Sequence, residues 1–284
     1  MRSAGVTVRT MSRGDVDQVI EWAAEEGWNP GLGDAVPFHA ADPAGFLIAE
    51  ADDGQPAAAV SVVRYGEDLG FLGLYIARPE YRGRGYGMAV WRAGMERLAG
   101  RTVGLDGVVA QQDNYRKSGF VLAHRNVRYQ GTVPATGAPE GLTDLAAVPF
   151  DRLLAYDRPL FGAPRAAFLS AWTGMPGVVG LAAAGVAGSL GGYAVARPCR
   201  VGWKIGPLFA DDAENADKLF RGLCAAIPGG EQVILDVPEP NREAMALAAR
   251  YGLAPVFETA RMYAGPPPGL DLGRIFGITS FELG

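Results

Sequence analysis

The apolar positions of this chain change period several times, and each change marks an element. Val6 to Thr10 alternates and predicts a first strand. Ser12 and Asp15 form a capping-box pattern, with Asp in place of Glu. Val16, Val19, Ile20 and Ala23 then recur at helical spacing, predicting a helix with one buried face. Gly27 to Pro43 reads as one long loop carrying Trp28, Asn29, Pro30 and Phe38. A loop of that length is usually functional, and its aromatics make Trp28, Asn29 and Phe38 candidates for a wall on the substrate side. Phe46 to Ala51 and Ala57 to Tyr65 read as strands joined at Asp52-Asp53-Gly54. Gly66-Glu67-Asp68 turns the chain into an apolar run, Gly70 to Ala77. Met88, Val90, Trp91, Met95 and Leu98 restore the helical period. A strand over Thr102 to Val108, a short polar stretch over Gln111 to Ser118 and a last strand over Val121 to Gln130 complete the first half.

The second half repeats this order. GTVPATGAPEG, residues 131–141, reads as a connector, giving units at 1–131 and 142–284 with a linker over 132–141. Beyond it come helical stretches around Leu153 and Phe168 and strands between Val178 and Arg197. A strand over Val201 to Phe209, a helix over Ala213 to Ala226 and a strand over Gln232 to Val237 follow. A helix over Asn241 to Arg250 and a strand over Pro255 to Tyr263 come last. Leu105-Asp106 matches Leu235-Asp236, Gly119-Phe120 matches Gly252-Leu253, and Tyr129 matches Tyr263, all at nearly one spacing, which predicts an internal duplication. The stretch GRIFGITSFELG (Gly273 to Gly284) is too apolar to lie free and is expected to dock as a strand.

Composition narrows the function classes. The 284 residues are 49% hydrophobic, enough for two ordinary globular units. The most apolar stretch, Val178 to Val195, is interrupted by glycines at 180, 185, 188, 191 and 192, so no membrane span is expected, and neither is a signal peptide. Cys199 and Cys224 form no paired motif and read as reduced thiols of a cytoplasmic protein. Two histidines leave no His-rich metal site, and a net charge of −5 argues against nucleic acid as a partner. A monomer or a homodimer is expected.

The chemistry concentrates at Arg82-Gly83-Arg84-Gly85-Tyr86-Gly87, between an apolar strand and an amphipathic helix. A helix N-terminus presents unpartnered N–H groups and the positive end of the macrodipole; the glycines allow close approach and the arginines add charge, so the turn suits a pyrophosphate. A Walker loop is excluded, since no Gly-Lys-Ser/Thr follows. A dinucleotide fingerprint stays open: its third glycine is one position early, but Asp106 lies where a ribose-binding acid would. The third reading is R-x-x-G-x-G, carried by Arg82, Gly85 and Gly87. With its strand and helix it resembles the pyrophosphate motif of the GNAT superfamily of N-acetyltransferases. Tyr115-x-x-x-Gly119-Phe120 resembles that family's second signature, although Val108 stands where the family often has asparagine.

The resemblance covers roughly residues 5–130 and implies a tandem GNAT protein. Its fold class is α/β (α+β), with two GNAT-like domains, each a mixed, mostly antiparallel sheet flanked by helices. It implies acetyl-CoA as co-substrate without a metal, a small-molecule or peptide amine as acceptor, and direct attack in a ternary complex. Leu74, Tyr75, Ile76 and Ala77 would meet the acetyl group and pantetheine; Arg82, Gly83, Arg84, Gly85, Tyr86 and Gly87 would meet the pyrophosphate. Tyr115 would be the general acid. Asp68 or Glu67, or a water, would be the base, with Glu26 a weaker candidate. The second copy has Asp211-Asp212-Ala213-Glu214 in place of the glycine turn and Ala248 in place of Tyr115, and is expected to bind no coenzyme. A non-catalytic acyl-CoA sensor is the alternative on the same fold.

Overall fold

From Phe46 to Leu72 nearly every strand position is buried rather than every second one, the mark of strands covered on both faces. The computed structural model describes residues 2–3, 6–132 and 137–284. Its first half runs β1 (Arg2–Ser3), β2 (Val6–Thr10), α1 (Arg13–Glu25), α2 (Ala35–Ala41), β3 (Phe46–Glu50), β4 (Pro56–Tyr65), β5 (Leu69–Ala77), α3 (Tyr86–Arg97), β6 (Thr102–Val108), α4 (Gln112–Lys117) and β7 (Val121–Thr132). The second half runs β8 (Leu142–Asp144), α5 (Phe150–Phe161), α6 (Ala166–Thr173), β9 (Val179–Ala184), β10 (Leu190–Pro198), β11 (Trp203–Ala210), α7 (Ala213–Ala226), β12 (Gln232–Pro238), α8 (Arg242–Arg250), β13 (Ala254–Ala264) and β14 (Ile275–Gly277).

All fourteen strands join one sheet. Its pairs are antiparallel except β5 with β6 and β11 with β12, one parallel pair in each half. Helices α1, α2, α5 and α6 bury their apolar faces in one continuous core, through Val16, Phe38, Phe161 and Trp172 among others. The opposite face carries two smaller cores, one under α3 (Val90, Trp91) and one under α7 and α8 (Leu219, Phe220, Leu247).

The two repeats do not close on themselves. Along the sheet the central order is β6-β13-β7-β12, so the last long strand of each repeat lies beside the other repeat's strand. β13 pairs antiparallel with β6, and β7 pairs antiparallel with β12. Cutting the chain near residue 131 would therefore leave neither half with its own edge; residues 133–136 of the expected linker lie outside the described residues.

The exchange carries a matched pair of ion pairs. Asp106 faces Arg261 across β6 and β13, and Asp236 faces Arg128 across β12 and β7. Both are two-pronged and dry: Arg261 Nη2 lies 2.6 Å from Asp106 Oδ2, and Arg128 Nε lies 2.7 Å from Asp236 Oδ1, with exposures of 8% or less on all four side chains. Arg128 and Arg261 are 133 residues apart, the spacing of Gly119 and Gly252. The register corrects one expected equivalence: Tyr129 pairs with Leu235 and Met262 with Leu105, so the counterpart of Tyr129 is Met262 and not Tyr263. In the β13–β7 ladder an irregularity between Arg261 and Met262 leaves Ala123 of β7 without a partner.

Two other expectations change. The loop over Gly27 to Pro43 contains a helix, α2, because Pro37 sits in its first turn, where an N–H has no intrahelical partner to lose. The segment from Gly273 does dock, but only Ile275–Gly277 is a strand, against β11. The rest threads through the core as buried irregular chain.

Removing one charge of a dry pair leaves the other unpaired, at a cost of about 3–5 kcal/mol. Asp236→Asn and Asp106→Asn should each lower stability by that order in denaturant titration, whereas Asp113→Asn, on an exposed surface pair, should change it by less than ~1 kcal/mol. A second expectation concerns pH. His124 is the ladder partner of Arg261. Burial, then the Arg261 charge, hold its imidazole down at about 4 from the usual 6.5. The unfolded chain therefore binds this proton first, and stability falls as pH drops from about 6.5 towards 4, by roughly 2 kcal/mol at pH 5. Melting curves at pH 7 and pH 5 should show that loss in the wild type and less of it in His124→Gln.

Candidate active site

β5 and β6 are paired only from Leu69–Thr102 to Leu72–Leu105, then diverge. At the divergence β5 bulges: Ser61 lies opposite Gly73 and Ala59 opposite Ile76, so β5 carries an extra residue. Leu74 takes the left-handed conformation there, with φ 43. That conformation costs a non-glycine residue about 1–3 kcal/mol, and here the buried Leu74 side chain holds it in place. Strain of this kind turns backbone groups out of the ladder and towards the gap.

The gap opens into a cavity of about 450 Å³ lined by β5 from Leu72 to Ala77 and by β6 from Leu105 to Val108. On the α3 side, Tyr115 stacks on Trp91 at 5.7 Å between ring centroids and meets Phe120 edge-on. Gly107 is needed beneath it, since any side chain there would overlap the tyrosine ring. Burial, with a smaller contribution from Tyr75, pushes the Tyr115 hydroxyl up to about 12, so it keeps its proton at any physiological pH. That hydroxyl makes no hydrogen bond among the described residues.

The glycine turn stands at the end of β5. Gly85 caps α3 in the left-handed conformation with φ 90, and no side chain caps the helix start. The first N–H groups of α3 are thus open to a ligand. Tyr86 is buried edge-on to Tyr81, Arg84 lies over the Tyr81 ring, Gly83 turns with φ 75, and Gly87 faces the Tyr75 hydroxyl. Arg82 lines the cavity, donates from Nε to the Ala77 carbonyl at 2.9 Å and pairs with Glu26.

The other wall is built from distant sequence. Trp28 lines it, with its carbonyl accepting from Arg128 Nη1 at 3.1 Å. Phe257, Thr259, Phe281 and Glu282 come from the second half. No group of three or more His, Cys, Asp or Glu side chains among the described residues could hold a metal. No described helix is long and apolar enough to cross a membrane.

Acetyltransferase (GNAT) family and acetyltransferase (GNAT) domain patterns match residues 15–120 and 153–277 respectively. A holothin acyltransferase from Pseudoalteromonas sp. (strain SANK 73390) is 35% identical over 270 residues, covering 94% of this chain and 90% of that protein. The chain belongs to the GNAT family. It is a tandem GNAT acyltransferase (EC 2.3.1.-), a member of a family that uses acyl-CoA. Its fold is also that of a solved structure from Pyrococcus horikoshii, with TM-score 0.85 at 23% identity over 100% of this chain and 98% of that one. A tandem GNAT protein from the clavulanic acid biosynthesis pathway is similar at TM-score 0.63 and 16% identity, covering 92% and 99%.

Several expected site residues lie elsewhere in this GNAT fold. Glu67 and Asp68 are exposed in the turn before β5, about 20 Å of extended chain from the Leu74 bulge, and do not line the cavity. Phe38 is fully buried and stacks on Trp172, because α2 turns it inward. Asn29 bonds both ways to the Val201 backbone, joining the halves instead of facing the cavity. Asp106 is committed to Arg261 and Asn126, so it is not available to a ribose, and the dinucleotide reading fails there. Glu26 does reach the cavity, at its mouth. Arg128, Phe257, Phe281 and Glu282 carry no local motif; only the apolar pattern after Gly273 gave a signal for the last two.

A phosphate at this turn would compete with Glu26 for Arg82. Arg82→Ala should then weaken acyl-CoA binding by roughly 1.5–3 kcal/mol, the range for hydrogen bonds to charged groups. Glu26→Gln removes an exposed competitor and should tighten binding by no more than ~1 kcal/mol. Calorimetric titration of both variants reads the two signs separately.

Proposed function

We propose that this GNAT enzyme transfers the acetyl group of acetyl-CoA to a primary amine on a small molecule, by direct attack in a ternary complex. The observation that carries this is the cavity itself: it lies in the β5–β6 divergence, between Arg82 of the glycine turn and Tyr115 on one side and the Trp28–Phe281 wall on the other. Pyrophosphate fits the first side. Leu74, Tyr75 and Ile76 offer backbone N–H groups where a thioester oxygen gains negative charge in the tetrahedral intermediate. Tyr115, held protonated by burial, serves as the acid that gives its proton to the departing thiolate. The aromatic wall suits a compact acceptor, in keeping with the acyltransferase relative named above for holothin.

The second repeat supports one coenzyme per chain. Its parallel pair also diverges, after Ile205 and Leu235, but β14 pairs with β11 there and the Ile278 N–H bonds to the Asp236 carbonyl at 2.9 Å. Its helix start is already occupied: Asp212 caps Asn215 N at 2.8 Å, and Asp211 holds Arg274 and the Tyr156 hydroxyl. Asn241, the asparagine lacking in the first repeat, caps α8 and bonds to the carbonyls of Leu272, Gly273 and Ile275, pinning the inserted segment.

Thioester turnover with acetyl-CoA against an amine panel tests the reading, with calorimetric titration of CoA beside it. Turnover with at least one small amine and a stoichiometry of one per chain are expected. Tyr115→Phe, which keeps the ring stacking, should lower kcat by about 10²-fold with little change in CoA affinity. Full activity in that variant would leave thiolate protonation to solvent, and a stoichiometry of two would show that the filled cleft opens.

A further inference from the structure

The reaction proposed above needs a group to take a proton from the amine, and the acidic residues before β5 are too far away. One carboxylate on the opposite wall has the right surroundings. Glu282 belongs to the buried segment after β14 and is only 4% exposed. It lines the cavity, and its backbone lies directly against Gly73, where any side chain would overlap the Glu282 carbonyl. Gly73 immediately precedes Leu74, so Glu282 stands beside the bulge where the thioester carbonyl would rest.

Its carboxylate is buried yet uncommitted. Oε2 is out of solvent and has no hydrogen-bond partner, and no described side chain donates to the carboxylate. A buried polar atom of that kind costs free energy unless something completes it. Three cationic side chains lie close enough to interact with it: Arg128, Arg197 and Lys204. The two arginines are already paired, with Asp236 and Asp34, and Lys204 Nζ donates to the Asn29 carbonyl at 2.9 Å. The cluster thus holds three cations against three carboxylates, with Glu282 the one left open towards the cavity.

The residue is also held rigidly. Arg165 Nη1 donates to Thr279 Oγ1 at 2.9 Å, two residues before Phe281, and the Tyr65 hydroxyl donates to the Leu283 carbonyl at 3.1 Å, one residue after Glu282. Phe281 is fixed by Arg128, 4.6 Å above its ring. Tyr115 packs with the α3 core and Phe281 with the core of the other face, so acid and carboxylate approach the cavity from opposite sides of the sheet.

We propose that Glu282 is the general base, and that the second repeat of this chain supplies it to the site of the first. The step balances as follows. The bound alkylammonium gives one proton to the Glu282 carboxylate and becomes a free amine. Its nitrogen lone pair forms the new C–N bond at the thioester carbonyl. Collapse of the tetrahedral intermediate breaks the C–S bond, the thiolate takes the Tyr115 proton, and the nitrogen's second proton restores Tyr115. Glu282 then releases its proton to solvent, so the turnover yields amide, CoA thiol and one proton. A base of this kind contributes about 10²–10⁴-fold.

The inference rests on the acetyltransfer reading, and the test separates the two. Benzylamine, protonated at neutral pH, and aniline, already neutral, are compared as acceptors with acetyl-CoA in wild type, Glu282→Gln and Glu282→Asp. In Glu282→Gln, kcat/KM for benzylamine should fall by about 10²-fold and then climb in proportion to hydroxide, while aniline turnover falls less than about fivefold and acetyl-CoA affinity holds. If Glu282→Gln does not fold, Glu282→Asp decides, with a loss for benzylamine at least tenfold greater than for aniline. Equal losses for both amines, or no loss in an active wild type, would overturn the role of Glu282 alone. Wild-type turnover of neither amine, nor of any in the panel, would overturn the acetyltransfer reading beneath it.

Discussion

The dry Asp106–Arg261 and Asp236–Arg128 pairs are the joint on which this structure depends. Each ties a strand of one repeat to the exchanged strand of the other, in the same register. A buried ion pair adds little net stability over a well-packed apolar pair, but a misplaced one is very costly, so its main physical effect is on register. A slip of one residue along β7 or along β13 would bury the two charges of its pair apart from each other and turn that strand's side chains to the wrong face. The pairs thereby fix where Arg128, Phe257 and Thr259 stand along the cavity wall.

That register explains how one repeat keeps an open cleft and the other does not. Both repeats have a parallel strand pair that opens, and an opened pair leaves backbone groups without partners. In the first repeat the opening is the cavity. In the second, the segment from Ile275 supplies the missing partners, and Asn241 and Arg274 secure it. The same segment then continues to the first opening, where Phe281 and Glu282 form part of its wall. Closing one cleft and furnishing the other is thus done by a single stretch of chain.

The free-energy terms at the site are divided in a consistent way. Strain is held at Leu74, an unsatisfied carboxylate oxygen at Glu282 and an uncapped helix start at Gly85. Each is unfavourable on its own; Leu74 and Glu282 line one cavity, and Arg82, three residues before Gly85, lines it too. The surroundings that hold them are conventional: apolar cores on both faces and ladders with regular pairing on either side of the bulge.

The sequence alone determined the elements, their order and the duplication, because hydrophobic period and turn chemistry are local properties. The strand limits Thr102 to Val108 and the helix limits Ala213 to Ala226 were legible to the residue. So was the glycine turn, since an R-x-x-G-x-G pattern between a strand and a helix states its own geometry. The alternation of β7 and β13 says that each has a buried face, but not which neighbour it chooses. Either repeat could have closed on itself with the same pattern, and only the reciprocal fit of Asp106 with Arg261 and Asp236 with Arg128 decides for exchange. Asn29, Phe38, Glu67 and Asp68 were placed by nearness along the chain, and the fold turned them away through α2 and the length of β5. Glu282 lies 209 residues from Gly73 in sequence yet packs against it, and such a contact is set by tertiary packing alone.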